Sequence, residues 1–405
     1  MPASVNFHLS KSKKFKSIIY SFKSVEQYQS NTYLMKLILA NIIGEYSEKY
    51  KTKQSMTAIK DYLYGLNIVA HSKVVDKYEI FTVNCLFVDP KYSDINIDEY
   101  HNFIKEVMAN IYFDEHIFNE IKLLTIDRVN RILENPTTLA YDKSLGYFEG
   151  DIFKKYRIID IIEQLSTYSY EEFVSSFNSF IKECSFDLYV NGDIDIDKIS
   201  ELSAYLKIKQ SITTDKTAPI KLNCINDICD EMAMSQSVIV MYFNTTYNKF
   251  HDDYIKWIVA NAVFGKGPSS LLFGENREKY SLCYSVSAHE MIYEGVVRVV
   301  ALIDADNYEQ FKSLTLKQIE RLKVGDVDSG DFDRSKNLLK QSLLSEDDQI
   351  QSNIDRRFND YFFQNKLSIE EVLVKIDEVK IDDLKDIFNN YELCFTYLLK
   401  GVSDE

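Results

Sequence analysis

The chain has 405 residues, of which 45% are hydrophobic and 27% charged, and its formal net charge is −15. Apolar and aromatic residues run its whole length, which excludes a disordered chain, and the length suits two domains of about 200 residues. The acidic balance excludes nucleic acid as a main partner, because phosphate binding needs a basic face, and it favours basic or neutral peptide ligands.

Met1–Leu9 has neither the apolar core nor the cleavage site of a secretion signal. No run approaches the roughly 18 apolar residues of a membrane span, so a cytoplasmic protein without a span is expected. Alternation predicts strands at Val5–Leu9 and Phe15–Tyr20. Ser30-Asn31 can cap a helix running to about Ser47, and a second helix covers about Ser55–Tyr64 before Gly65. Strands follow near Asn67–Lys73 and Tyr78–Val88, then helices from about Ile97 to Ile181, then a strand at Phe186–Val190. The segment Lys207–Met232 is polar, holds Pro219 and lacks clear periodicity, so it reads as a linker.

The second half repeats this order. A strand at Ser237–Phe243 leads to a helix at about Asp252–Phe264, then to a Gly/Ser-rich turn at Gly265–Ser270 and a short helix. Strands at Leu282–Ala288 and Val296–Ile303, helices over about Tyr308–Asn389 and a strand at Cys394–Leu399 complete it. Ser72–Asp89 aligns with Ser287–Asp304, and the run from Leu165 to Phe177 aligns with that from Ile376 to Phe388. The expected fold class is α+β. Two tandem homologous α/β-roll domains, each a mainly antiparallel sheet packed against helices, would form a half-clamshell. The boundaries are 1–206, a linker at 207–232, and 233–405.

Cys85, Cys184, Cys224, Cys229, Cys283 and Cys394 form no C-x-x-C pair, and the Cys224/Cys229 spacing suits zinc poorly. Free buried thiols in a reducing compartment are expected.

The tandem pattern resembles the pitrilysin/insulysin family of inverted-zincin peptidases, which includes the mitochondrial processing peptidase. The resemblance is sharpest over Gly265-x-Gly267-Pro268-Ser269-Ser270-Leu271-Leu272-Phe273, Asn276-Arg277-Glu278-Lys279 and Ser281-Leu282-Cys283-Tyr284-Ser285-Val286. It implies that Arg277 and Tyr284 grip a peptide beside the zinc. An arginine can donate a fork of hydrogen bonds to a carbonyl, and a tyrosine hydroxyl can hydrogen-bond a tetrahedral oxyanion. The bland reading pairs Arg277 with Glu275 or Glu278 and puts Tyr284 in the core.

Active members need H-x-x-E-H on the first long helix, two histidines for zinc and a glutamate to activate water. The corresponding run here, Tyr33–Asn41, has no histidine and no acid. His8, His71, His101, His116, His251 and His289 are dispersed along the chain. Asp127, near the position of the family's further ligand, reads as a helix-face charge beside Arg128 or Arg131. Asp193-x-Asp195-x-Asp197 and Asp326–Asp331 resemble calcium loops but read as helix caps.

No catalytic or metal-ligating residue is therefore expected in this chain, and no cofactor of its own. The resemblance implies the zinc-less, substrate-binding subunit of a bacterial heterodimeric metallopeptidase. Its homologous partner would carry H-x-x-E-H and the zinc, and its substrate would be a peptide, including a bacteriocin or other precursor. The rival is a structural or peptide-chaperone subunit with no part in cleavage.

Overall fold

The computed structural model describes residues 7–150, 153–206, 208, 213–365 and 367–402. Val5 and Asn6 of the first expected strand, and Lys207 and residues 209–212 of the expected linker, lie outside them. In the first half the order is β1 (Phe7–Lys11), β2 (Ser17–Gln27), α1 (Ser30–Ile42), α2 (Lys53–Tyr62), β3 (Asn67–Val75), β4 (Tyr78–Val88), α3 (Ile97–Ala109) and α4 (Glu115–Leu133). Next come α5 (Pro136–Leu145), α6 (Ile158–Thr167), α7 (Tyr170–Glu183), β5 (Asp187–Gly192) and α8 (Ile196–Tyr205).

The second half runs β6 (Ile228–Ala233), β7 (Ser237–Asn244), α9 (Tyr254–Gly265), a π-helical turn (Phe273–Lys279), β8 (Cys283–Met291) and β9 (Val296–Ile303). Then follow α10 (Tyr308–Val324), α11 (Ser329–Asp347), α12 (Ile350–Phe362), α13 (Ile369–Glu378), α14 (Ile381–Asn389) and β10 (Glu392–Val402).

Two five-stranded sheets result, ordered β1-β5-β2-β4-β3 and β6-β10-β7-β9-β8. Each has one parallel pair, β1 with β5 and β6 with β10, and is otherwise antiparallel. The two orders match strand for strand, so the internal repeat read from the sequence is a repeat of topology. Asp89 and Asp304, aligned in sequence, each precede a single 3-10 turn. Asp195 and Asp328 cap helices as expected, their carboxylates accepting from Asp197 N–H at 3.2 Å and Asp331 N–H at 3.0 Å.

Two expectations change. The linker contains a strand, β6, at the sheet edge. Its side chains alternate only weakly between half-buried and exposed, so no clean period reached the sequence. Cys224 and Cys229 are exposed, whereas Cys85, Cys283 and Cys394 are buried and Cys184 is half-buried; all are free thiols. Cys229 lies on edge strand β6, where little packs against it.

The chain divides into two compact units, neither contiguous in sequence. The first comprises Met1–Arg131, Ile158–Thr214 and Asp347–Asn365; the second comprises Ile132–Arg157, Asp215–Glu346 and Lys366–Glu405. In the first unit, one sheet face carries Tyr20, Phe22, Phe81, Val83, Leu188 and Val190 into a core shared with helices that include α1, α3 and α7. Each such side chain contributes about 1.5–3 kcal/mol when fully buried. The opposite face is mixed: Ser21, Lys23, Thr82, Asn84 and Asn191 are buried there among Ile19, Ile80, Tyr78 and Tyr189, and α12 packs on it through Phe358 and Phe362.

In the second unit, Ile239, Met241, Phe243, Val297, Val299 and Ala301 face a core shared with α9, α10 and α14. Its opposite face is apolar, with Val238, Val240, Tyr242, Phe395 and Tyr397 against Ala140 and Leu145 of α5. Each unit thus takes one covering helix from the other half of the sequence.

Candidate functional site

The resemblance singles out Arg277 and Tyr284, and the second unit builds both around one short turn. Helix α9 runs into Gly265 and stops against β8. A Cβ at Gly265 would lie 2.5 Å from Ala288 Cβ, so only glycine permits this approach. Gly267 then adopts φ +79°, and Ser270 Oγ donates to Gly267 O at 2.8 Å, closing the turn. The π-helical turn Phe273–Lys279 follows, a rare conformation that concentrates at functional sites.

Arg277 is exposed on this turn, its guanidinium carbon 4.8 Å from the centre of the Phe273 ring. Glu275 is taken by Lys279 at 2.9 Å, and among the described residues Arg277 makes no ion pair. The bland pairing with Glu275 or Glu278 is therefore not what the structure contains.

After the π turn, Leu282 N–H donates to Asn276 O at 2.8 Å, and Asn307 Nδ2 donates to Leu282 O at 3.2 Å. Ser281 stands at φ +52°, a conformation uncommon for a residue with a side chain. Strand β8 then begins with a bulge: Cys283 opposes Ile303 while Ser285 opposes Leu302, leaving Tyr284 as the extra residue. The bulge turns Tyr284 outward, and it is 56% exposed instead of joining the core. Cys283, beside it, is buried. Burial pushes its thiol up to about 11, with the Arg277 charge pulling the other way.

The site therefore presents a guanidinium and a phenol on either side of the turn Tyr280–Leu282, at the end of strand β8. That strand lies at the sheet edge, with β9 on its one paired side. Phe273 and Asn276 complete the arrangement. Both stand in the string that carries the resemblance, but neither had a role there, although an aromatic residue four positions before the arginine was the available signal.

In the first unit, the run Tyr33–Asn41 lies on α1, where the family's zinc motif would stand. Leu37, Ala40 and Asn41 sit half-buried at i, i+3 and i+4. Asn41 Nδ2 donates to Thr125 Oγ1 on α4 at 3.1 Å, and Asn41 Oδ1 accepts from Arg128. Asp127 instead pairs along its own helix with Arg131 at 2.8 Å, as read from the sequence. A guanidinium has no lone pair for a metal, so the Asn41–Thr125–Arg128 contact does not fit zinc.

His101 and His289 serve local contacts. His101 meets Tyr20 at 2.8 Å and is held by burial down to about 4, and His289 meets Ser287 at 2.8 Å. Among the described residues, no group of three or more His, Cys, Asp or Glu could hold a metal ion. No described helix is long and apolar enough to cross a membrane.

Known proteins resemble this chain along nearly its whole length. Residues 167–339 match the family model "Peptidase M16 inactive domain". The "Probable inactive metalloprotease YmfF" of Bacillus subtilis is 21% identical over 413 residues, covering 98% of this chain and 95% of that protein. A conserved protein from Enterococcus faecalis superposes with a TM-score of 0.88 at 20% identity, over 98% of this chain and 97% of that one. A Peptidase M16 inactive domain from Pseudomonas fluorescens gives 0.73 at 14% identity, over 98% and 96%. Residues 167–339 are thus similar to the Peptidase M16 inactive domain, and along nearly its whole length the chain has the fold these proteins share.

Proposed function

We propose that this chain is the substrate-gripping, non-catalytic subunit of a two-chain zinc peptidase. Its homologous partner supplies the zinc, the glutamate base and the water, and this chain supplies Arg277 and Tyr284. The observation that carries the reading is an arginine left without an ion pair among the described residues, set beside a bulged, exposed tyrosine. An arginine with no carboxylate partner keeps its N–H donors for a ligand. Arg277 can fork two N–H donors onto a peptide carbonyl, and Tyr284 can donate to the oxyanion that develops on attack. A peptide can add to the open side of β8 by backbone hydrogen bonds. The substrate is a short or unfolded peptide, such as a secreted-peptide precursor, and the setting is cytoplasmic.

The test is to tag the chain, purify it from its host under mild conditions, and assay peptide cleavage and zinc. We expect a companion chain of similar size, about one zinc per pair, and cleavage only when both chains are present. Arg277→Ala or Tyr284→Phe should lower cleavage by roughly 100-fold with the complex intact. Unchanged cleavage in both variants would sink the grip reading. A lone, zinc-free chain without cleavage would favour a structural or peptide-chaperone role.

A further inference from the structure

Phe273 and Arg277 are four residues apart on the π-helical turn, with 4.8 Å between the guanidinium carbon and the ring centre. Tyr280 N–H donates to Glu275 O at 3.2 Å, the i→i−5 bond of such a turn. A turn closed in this way is wider than an α-turn and sets residue i+4 nearly above residue i along the axis. That is the spacing which stacks Arg277 on Phe273. The Phe273 ring also packs against the hydrophobic core of the second unit, so it is fixed from below and offers a face above.

The turn itself is anchored. Asn276 is 0% exposed, its Nδ2 donates to Leu272 O at 3.2 Å, and its carbonyl accepts from Leu282 N–H at 2.8 Å. A guanidinium lying over a ring engages through its face, which leaves its N–H edge available to a ligand. Lys279 holds Glu275, one of the two carboxylates on the turn.

We propose that Phe273 is a positioning residue: an aromatic shelf that holds the Arg277 guanidinium flat, with its donor edge turned to the bound peptide. The inference rests on reading Arg277 as the substrate grip and goes beyond it by naming what aims the arginine.

The experiment uses the complex purified with its companion chain. Phe273→Leu keeps an apolar side chain on the core but removes the shelf, and should lower kcat roughly tenfold with KM within about twofold. Phe273→Trp should restore kcat. Phe273→Leu added to Arg277→Ala should cause no further loss, because the two residues act as one unit. Equal losses in both backgrounds, or no loss in the wild-type background, would overturn the proposal.

If Arg277→Ala itself leaves cleavage intact, the grip reading fails, and the shelf is then read in the chain alone. Ring current should move the Arg277 side-chain protons upfield. Phe273→Leu should abolish that shift and Phe273→Trp should bring it back. Arg277 resonances that stay put in Phe273→Leu would show that no shelf exists.

Discussion

Lys23 on β2 and Asp355 on α12 are 332 positions apart in the chain, yet Lys23 Nζ donates to the Asp355 carboxylate at 2.7 Å, with the lysine side chain only 1% exposed. Lys23 also lies 5.0 Å from the Phe358 ring centre. Asp355→Ala would strand a buried ammonium and should cost about 3 kcal/mol, near the low end for a broken buried pair because Asp355 is partly exposed. Lys23→Met combined with Asp355→Leu should recover most of that loss. Urea denaturation of the three variants checks both outcomes, and a neutral Asp355→Ala would show that the pair does not hold α12.

Glu79 gives a pH dependence. It stands directly opposite Glu26 across β2 and β4, and Lys36 Nζ approaches the two carboxylates at 2.7 Å (Glu26) and 3.5 Å (Glu79). Burial pushes the Glu79 carboxyl up to about 7, against the pull of Lys36 and Ser72. A carboxyl raised on folding contributes stability that is complete below its unfolded value and is lost as pH rises through its folded value. Between about pH 4.5 and 7 the wild type should therefore lose stability relative to Glu79→Gln, by on the order of 2 kcal/mol at pH 8. Denaturation at pH 5, 6.5 and 8 reads this directly; a difference that stays constant would remove the buried carboxyl as its cause.

Gly265→Ala tests the seat of the grip turn. The new Cβ would meet Ala288 Cβ at 2.5 Å, and overpacking of this kind costs about 1–3 kcal/mol. Ala288→Gly in the same chain should relieve much of that loss, since it removes the opposing atom. Thermal melts of the single and double variants decide the matter, and a double variant no better than Gly265→Ala would place the strain elsewhere.

Metal removal should leave the isolated chain unchanged. With Asn41 of α1 hydrogen-bonded to both Thr125 and Arg128 of α4, EDTA should not shift the thermal midpoint, and dialysed protein should retain no zinc. A midpoint that falls on chelation would reveal ligands other than the residues considered above.

Much of this architecture was legible in the sequence. Period-2 and period-3.6 patterns located the hairpin β3–β4 and its counterpart β8–β9, because each strand buries at least one face against its core. The alignment of Asp89 with Asp304 announced a repeat that the strand order reproduces. Arg277 and Tyr284 were legible only through resemblance, because nothing in their spacing alone separates a grip from an ion pair and a core tyrosine. What escaped was non-local. Strand β6 has too little burial to leave a period. The wide turn that stacks Arg277 on Phe273 depends on backbone bonding that composition does not announce. Nor does any local pattern tell that α5 and α12 each cover a sheet made mostly by the other half of the chain.

That last feature sets an order on biosynthesis. The five strands of the first sheet have all been translated by Gly192, but the helix that covers its outer face is finished only at Phe362. At ribosomal speeds of about 5–20 residues per second, those roughly 170 further residues take on the order of 10–30 s. Throughout that interval the nascent sheet shows solvent a mixed face, on which Ser21, Lys23, Asn84 and Asn191, which water can satisfy, interrupt Ile19, Ile80, Tyr78 and Tyr189. The second sheet has the apolar outer face, and its cover, α5, leaves the ribosome before any of its strands. The helix made early covers the largely apolar face and the helix made late covers the one broken by polar groups, so the oilier of the two faces is the one whose cover is already made.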